Sequence, residues 1–147
     1  PVAYATGSED VDALLNGVTA NLDALHKLND EIPDKQLSDA MDRMEKAGRS
    51  IADTVARTPD KARNVDRFAR YYLPEMVKLM GAYAELEKQG VKGDNAAQIE
   101  ADLRRNADTT AAAFENLLDA LYSAEAMDIS TDIEVLDSIL KSQNLTK

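Results

Sequence analysis

Val65-Asp66-Arg67-Phe68-Ala69-Arg70-Tyr71-Tyr72-Leu73-Pro74-Glu75-Met76-Val77-Lys78-Leu79-Met80-Gly81-Ala82-Tyr83 carries the main architectural signal of this chain. Val65, Ala69, Tyr72, Met76, Leu79, Tyr83 and Leu86 recur in steps of four and three, the spacing of one helical face. Pro74 interrupts this run. A proline inside a helix removes a backbone donor and collides with the preceding turn. Because the stripe keeps its phase across Pro74, the pattern predicts one kinked helix, not two. At about 3.6 residues per turn, Pro74 falls opposite the stripe, in line with Arg63, Arg67 and Arg70. The carbonyl of Arg70 that it frees then faces water, and the helix bends around its own core.

Working outward, the kinked helix is expected from Asp60 to Gln89, after Thr58-Pro59 and before Gly90 and Gly93. Upstream, Val11, Leu14, Val18, Leu22, Leu25 and Leu28 mark a first helix over 9–30. A second follows Pro33, with Leu37, Met41, Met44, Gly48, Ile51 and Val55 in uninterrupted heptad steps. Downstream, Asp94 or Asn95 can cap a fourth helix, whose Ile99, Leu103, Ala107, Thr110, Phe114, Leu117 and Leu121 keep phase to Ala126. Ala111, Ala112 and Ala113 beside Thr109 and Thr110 predict close approach of a neighbour. Thr131 with Glu134 matches a capping box opening a short fifth helix, its apolar side formed by Ile133, Leu136, Ile139 and Leu140.

The expected fold is therefore all-α: an elongated up-and-down bundle of four long helices, the third kinked at Pro74, plus a short C-terminal helix. Links of a few residues force sequence neighbours to run antiparallel. Residues 1–8 are expected to be a flexible lead-in and 9–147 a single bundle domain. The opening Pro1 is consistent with a fragment of a longer chain.

Composition narrows the function classes. The 147 residues hold 17 Lys and Arg against 27 Asp and Glu, a net charge of -10, which disfavours nucleic acid as a partner. No cysteine is present, so disulfides and thiolate-held metals are excluded. The one histidine, His26, excludes sites that need two imidazoles. No run approaches the roughly 20 apolar residues of a membrane span. The expected location is cytoplasmic, with membrane association only through a segment upstream of Pro1.

One basic island stands out. Arg57, Lys61, Arg63, Arg67 and Arg70 face only Asp60 and Asp66 between residues 57 and 70, a local charge of +3. Arg63, Arg67 and Arg70 share a face, where guanidinium forks can hold a phosphate, an acidic headgroup or an acidic protein. The plainer reading is a solvated face whose charges pair locally, each pair contributing about 0–1 kcal/mol. Lys78 and Tyr71 extend the candidate surface, Tyr71 lying off the apolar stripe, whereas Tyr72 and Tyr83 fall on it and read as packing residues.

Other motifs lead nowhere. His26 lies near Asp23 and Asp30, but no second Glu-x-x-His unit exists to build a dimetal bundle. Asp10-Val-Asp12 imitates an aspartyl-phosphate phosphatase core, yet it opens a helix where that chemistry needs a strand end. Asp128, Ser130 and Asp132 have calcium-loop spacing, but Ile133 and Ile139 occupy the positions that require Gly and Glu. No metal, cofactor or catalytic set is expected.

Arg67-Phe68, Tyr71-Tyr72-Leu73-Pro74, Lys78-Leu79 and Tyr83 resemble the central signature of the bacterial bromochloroindolyl phosphate hydrolysis protein family, also called XpaC-like. Asp128-Ile129-Ser130-Thr131-Asp132-Ile133-Glu134-Val135-Leu136 is similar to its closing segment, so the likeness runs from the first helix to Leu145. The resemblance implies a helical domain, in some relatives preceded by membrane-spanning segments and often encoded beside a toxic-anion resistance protein. It carries over no catalytic residues.

Two readings follow. The first is a non-catalytic interaction domain docking a protein partner in an envelope-stress or toxic-anion-resistance pathway, through a surface of Arg63, Arg67, Arg70, Lys78 and Tyr71. The alternative is a phosphoric ester hydrolase acting on small aryl phosphates, with the same basic groups holding phosphate. The heptad seams also leave a homo-oligomer open.

Overall fold

The computed structural model describes residues 4–142, which form helices and their links with no strand among them. Helix α1 spans Glu9–Glu31, α2 Lys35–Arg57, α3 Leu73–Lys88, α4 Asp94–Ala120 and α5 Ser123–Ser142. Between α2 and α3 the chain forms a 3-10 segment, Pro59–Val65, and a π turn, Phe68–Tyr72. The all-α expectation holds.

Local chemistry sets the helix ends. Ser8 caps α1 by accepting from the Val11 N–H, and Asp34 caps α2 by accepting from the Leu37 N–H at 2.9 Å. Gly90, at φ +66°, takes the left-handed turn that ends α3, with the Val91 N–H donating to the Leu86 carbonyl. Part of the expected lead-in is held down. Thr6 donates from backbone and hydroxyl to Asp12 Oδ1, each at 2.7 Å, and the Thr19 hydroxyl lies 3.3 Å from the Tyr4 hydroxyl. Residues 1–3, and Leu145 at the far limit of the resemblance, lie outside the described residues.

The heptad stripe of α2 is buried along its whole length, from Leu37 through Met41, Met44, Gly48 and Ile51 to Val55. Leu15, Val18, Leu22 and Leu25 of α1 face it. A Cβ on Gly48 would come within 2.6 Å of Leu22 Cδ2, so a glycine there lets the helices close. The helices alternate in direction, but their neighbours are not those of a simple meander. Asp34, Gln36 and Arg43 of α2 pair in rising order with Arg104, Asp108 and Glu115 of α4, so these two helices run parallel. Helix α3 likewise runs parallel to α1, with Arg70 near Asp10 at one end and Lys88 near Glu31 at the other. Short links set direction, but the 3-10 segment carries the chain across the bundle end, placing α3 beside α1 and not beside α2.

The third helix departs most from expectation. Its kink region is a π turn, in which the Leu73 N–H donates to the carbonyl of Phe68, five residues back. Val65, Met76 and Tyr83 of the expected stripe are buried, but the extra residue brings Phe68, Leu73 and Met80 into the core beside them. Tyr72 and Leu79, expected in the core, are instead 52% and 39% exposed. Further along, α4 ends at Ala120, not Ala126, and α5 begins at Ser123. Thr131 and Glu134 therefore lie inside α5, and the expected capping box does not form.

The α4–α5 joint is fixed by a small polar knot. Lys61 donates to the Leu121 carbonyl and to Glu125 Oε1, and its ammonium sits 4.9 Å from the Tyr122 ring centroid. The Tyr122 hydroxyl reaches the buried Thr54 Oγ1 at 3.0 Å. Beyond this knot every residue of α5 from Ala126 to Ile139 is exposed.

Candidate functional site

The seam between α3 and α4 does not close. It leaves a groove of about 670 Å³ whose floor is built by Phe68, Met76, Phe114 and Leu117. The Phe68 and Phe114 rings meet edge to face, 4.8 Å apart at 84°, so the floor is a packed surface and not a void. Tyr72 and Leu79, turned outward by the π turn, form the α3 wall. On the opposite side the small side chains Thr109, Thr110 and Ala113 form the α4 wall. The close approach expected of these small residues is not made with α3. It is made on another face of α4, the helix that packs against α2, where Ala111 of this cluster is fully buried with Ala107.

Arg63 and Arg67 stand at the groove, both exposed, and neither forms an ion pair among the described residues. The Arg67 guanidinium carbon lies 5.8 Å from the Tyr72 ring centroid, which orients the cation along the α3 wall. Glu75 is the one carboxylate among the residues lining the groove. The arrangement is an apolar trough with two guanidinium groups at its edge. It suits an elongated ligand that is greasy on one side and anionic along a flank.

The remaining sequence-derived candidates do not join this cluster. Arg70 Nε donates to Asp66 Oδ1 at 2.6 Å and borders a shallower depression facing Asp10, Leu14 and Gly17 of α1. The π turn is the reason: Arg70 lies within it, so its direction departs from that of Arg63 and Arg67. Lys78 is exposed and unpaired among the described residues, and it does not line the groove. Tyr71 is 63% exposed and also stands outside it. The α4 wall was not foreseen as part of a site. Its only sequence signal was the cluster of small residues, which does not say which neighbour it faces.

The electrostatics elsewhere are those of pairs that bind helices together. Arg104 donates to Asp34 Oδ2 at 2.6 Å, and this hydrogen bond is the main reason the Asp34 carboxyl lies below its ordinary pKa. His26 Nδ1 is 2.9 Å from Glu45 Oε1, and that contact raises the imidazole pKa above its ordinary value. The partner of His26 is thus Glu45 across the α1–α2 seam, not Asp23 or Asp30. Burial, helped by its 2.7 Å hydrogen bond to Glu87, pushes the Tyr83 phenol up, away from acid–base work near neutrality. Among the described residues, no three His, Asp or Glu side chains gather so as to hold a metal. No helix among them is long and apolar enough to cross a membrane.

Compared with known families, the chain matches the model of the 5-bromo-4-chloroindolyl phosphate hydrolysis proteins over residues 7–136. No curated protein and no solved structure matches the chain.

Proposed function

Because the chain belongs to the 5-bromo-4-chloroindolyl phosphate hydrolysis protein family, we propose that it acts as a non-catalytic helical docking module whose α3/α4 groove receives an acidic amphipathic helix from a protein partner. The observation that carries this reading is the open seam itself. A bundle that closes firmly elsewhere leaves Phe68, Tyr72, Met76 and Leu79 facing an unfilled trough beside two unpaired arginines. Exposed apolar surface of this kind, rimmed by polar groups, marks interaction sites. Helix-in-groove recognition uses apolar anchors at i, i+3, i+4 and i+7, and acids flanking those anchors would meet Arg63 and Arg67. The family resemblance supports a partner of the toxic-anion-resistance type, at the envelope or in its stress response.

The test is a titration of the purified chain with a fluorescent, designed acidic amphipathic peptide. Saturable binding that weakens about tenfold on the double change Arg63→Glu and Arg67→Glu supports the groove, since two rim pairs become repulsions. Binding indifferent to that change refutes it.

The family description itself favours a second reading, hydrolysis of a small aryl phosphate. The same trough suits it, because an aromatic ring can lie against Tyr72 and Phe114 while Arg67 holds the phosphate. Turnover of 5-bromo-4-chloroindolyl phosphate that persists through purification and disappears in Arg67→Ala would put this reading first.

A further inference from the structure

Helix α5 is itself a helix of the kind the groove is suited to hold. Ile129, Ile133, Leu136 and Leu140 fall in steps of four, three and four on one face of α5. Ile129, Ile133 and Leu136 are 60%, 61% and 57% exposed. Beside that face run Asp128 and Asp132, four residues apart, matching the four-residue spacing of Arg63 and Arg67. Over its length α5 holds five carboxylates, at Glu125, Asp128, Asp132, Glu134 and Asp137, and one cation, Lys141. The lengths agree as well. Ile129 to Leu140 spans roughly 17 Å of helix, and the groove wall from Arg63 to Leu79 roughly 24 Å.

We propose that α5 of one chain lies in the α3/α4 groove of a second copy, and that the exchange is reciprocal, giving a two-fold dimer. This rests on the reading of the groove as a seat for an acidic amphipathic helix and names its occupant. Two observations direct α5 to another molecule. Lys61, held between the Leu121 carbonyl and Glu125, and Tyr122, anchored on Thr54, fix the α4–α5 joint with α5 standing clear of its own bundle. Pairing α5 with a second α5 would bring two strongly acidic helices side by side, with like charges flanking the seam. In the groove, the same carboxylates meet Arg63 and Arg67. A reciprocal exchange uses one pair of complementary surfaces twice and closes on itself.

Sedimentation of the full chain over a range of concentrations tests this. A concentration-dependent dimer is expected, and Ile133→Asp with Leu136→Asp should reduce it to monomer. That change lies on exposed positions outside the bundle, so the helical circular dichroism of the bundle is retained. The change Arg63→Glu with Arg67→Glu should weaken the dimer about tenfold, and adding Asp128→Arg with Asp132→Arg to the same chain should restore it. A chain that stays monomeric at all concentrations overturns the exchange. So does a dimer sensitive to the α5 changes but indifferent to the arginines, which is α5 against α5. The designed peptide, titrated against the Ile133→Asp, Leu136→Asp chain, reports separately on the groove. Binding there with no dimer in the unaltered chain sinks the exchange and leaves the docking module standing.

Discussion

The α1–α2 seam and the α3–α4 seam belong to one bundle and are built oppositely. In the first, Gly48 and Leu22 fit so closely that a single added Cβ would lie 2.6 Å from a leucine methyl. In the second, Tyr72 and Leu79 stand out from α3, while Thr109, Thr110 and Ala113 are too small to reach them, leaving about 670 Å³. Apolar residues are present in both. What differs is whether large and small side chains meet at the same height, as close packing of helices requires. The closed seam stabilises the fold. The open one leaves exposed apolar surface whose loss would cost the fold little.

The sharpest way to break this contrast is to truncate one leucine on each side. Leu22 is fully buried, so Leu22→Ala should lower unfolding free energy by about 2–5 kcal/mol in urea denaturation. Leu79, 39% exposed on the groove wall, should cost within about 0.5 kcal/mol on the same change. A Leu79→Ala loss comparable to that of Leu22→Ala would mean the α3–α4 seam closes in solution and the groove is not there to bind anything.

Which parts of this were legible in the sequence follows from where the helices are regular. The α2 stripe from Leu37 to Val55 is buried as its spacing implied, because an uninterrupted α-helix turns period directly into a face. In the third helix the sequence contains two adjacent apolar columns, Tyr72 with Leu79 and Leu73 with Met80. Only the backbone decides between them. The π turn adds one residue between Phe68 and Leu73, and so selects Leu73 and Met80 for the core, beside the Met76 and Tyr83 that the spacing had already placed there. Arg63 and Arg67 were found by their spacing, but the departure of Arg70 toward α1 depends on the same hidden residue. Link length fixed which way each helix runs. It could not say that α2 would lie against α4, because that contact joins positions some 70 residues apart, such as Asp34 and Arg104.

The α2–α4 contact offers the next test. Asp34 both caps α2 and pairs with Arg104, so Asp34→Ala should cost about 1–2 kcal/mol near neutral pH. Its folded pKa lies below its unfolded value, so the stabilisation is fully present above the unfolded pKa and is lost as pH falls through the folded one. The gap between unaltered chain and Asp34→Ala should therefore begin to narrow as pH falls past about 4 and close only below the lowered folded pKa. A gap that stays constant into acid would show that capping shape, not the charge, accounts for the difference.

A smaller effect separates Pro74 from the π turn. If proline alone forces the irregularity, Pro74→Ala restores a regular helix, and Leu73 rotates out of the core with a loss of several kcal/mol. If the core phase from Phe68 to Leu73 holds the turn, as the burial of both residues indicates, alanine keeps it. Stability then changes by less than about 1 kcal/mol, mainly through the freer unfolded chain. The second outcome is expected, with Tyr72 and Leu79 still lining the groove.

The gentlest probe lies on the closed seam. His26 on α1 meets Glu45 on α2, and Arg49 bridges Glu45 and Asp23 at 2.8 and 3.0 Å. Glu45 raises the folded pKa of His26 above the unfolded value, so the stabilisation is fully present below the unfolded pKa, near 6.5, and disappears as pH rises through the folded one. The two sides of α2 are thus tuned in opposite senses: falling pH loosens its tie to α4, and pH rising through the His26 titration loosens its tie to α1. Because His26 is the only histidine, its ring proton titration in NMR is free of overlap. The raised value should fall back in Glu45→Gln, which keeps the shape and removes the charge. An unmoved titration in that variant would show that the His26–Glu45 contact adds nothing to the α1–α2 seam, leaving the Arg49–Asp23 pair and apolar packing to hold it closed.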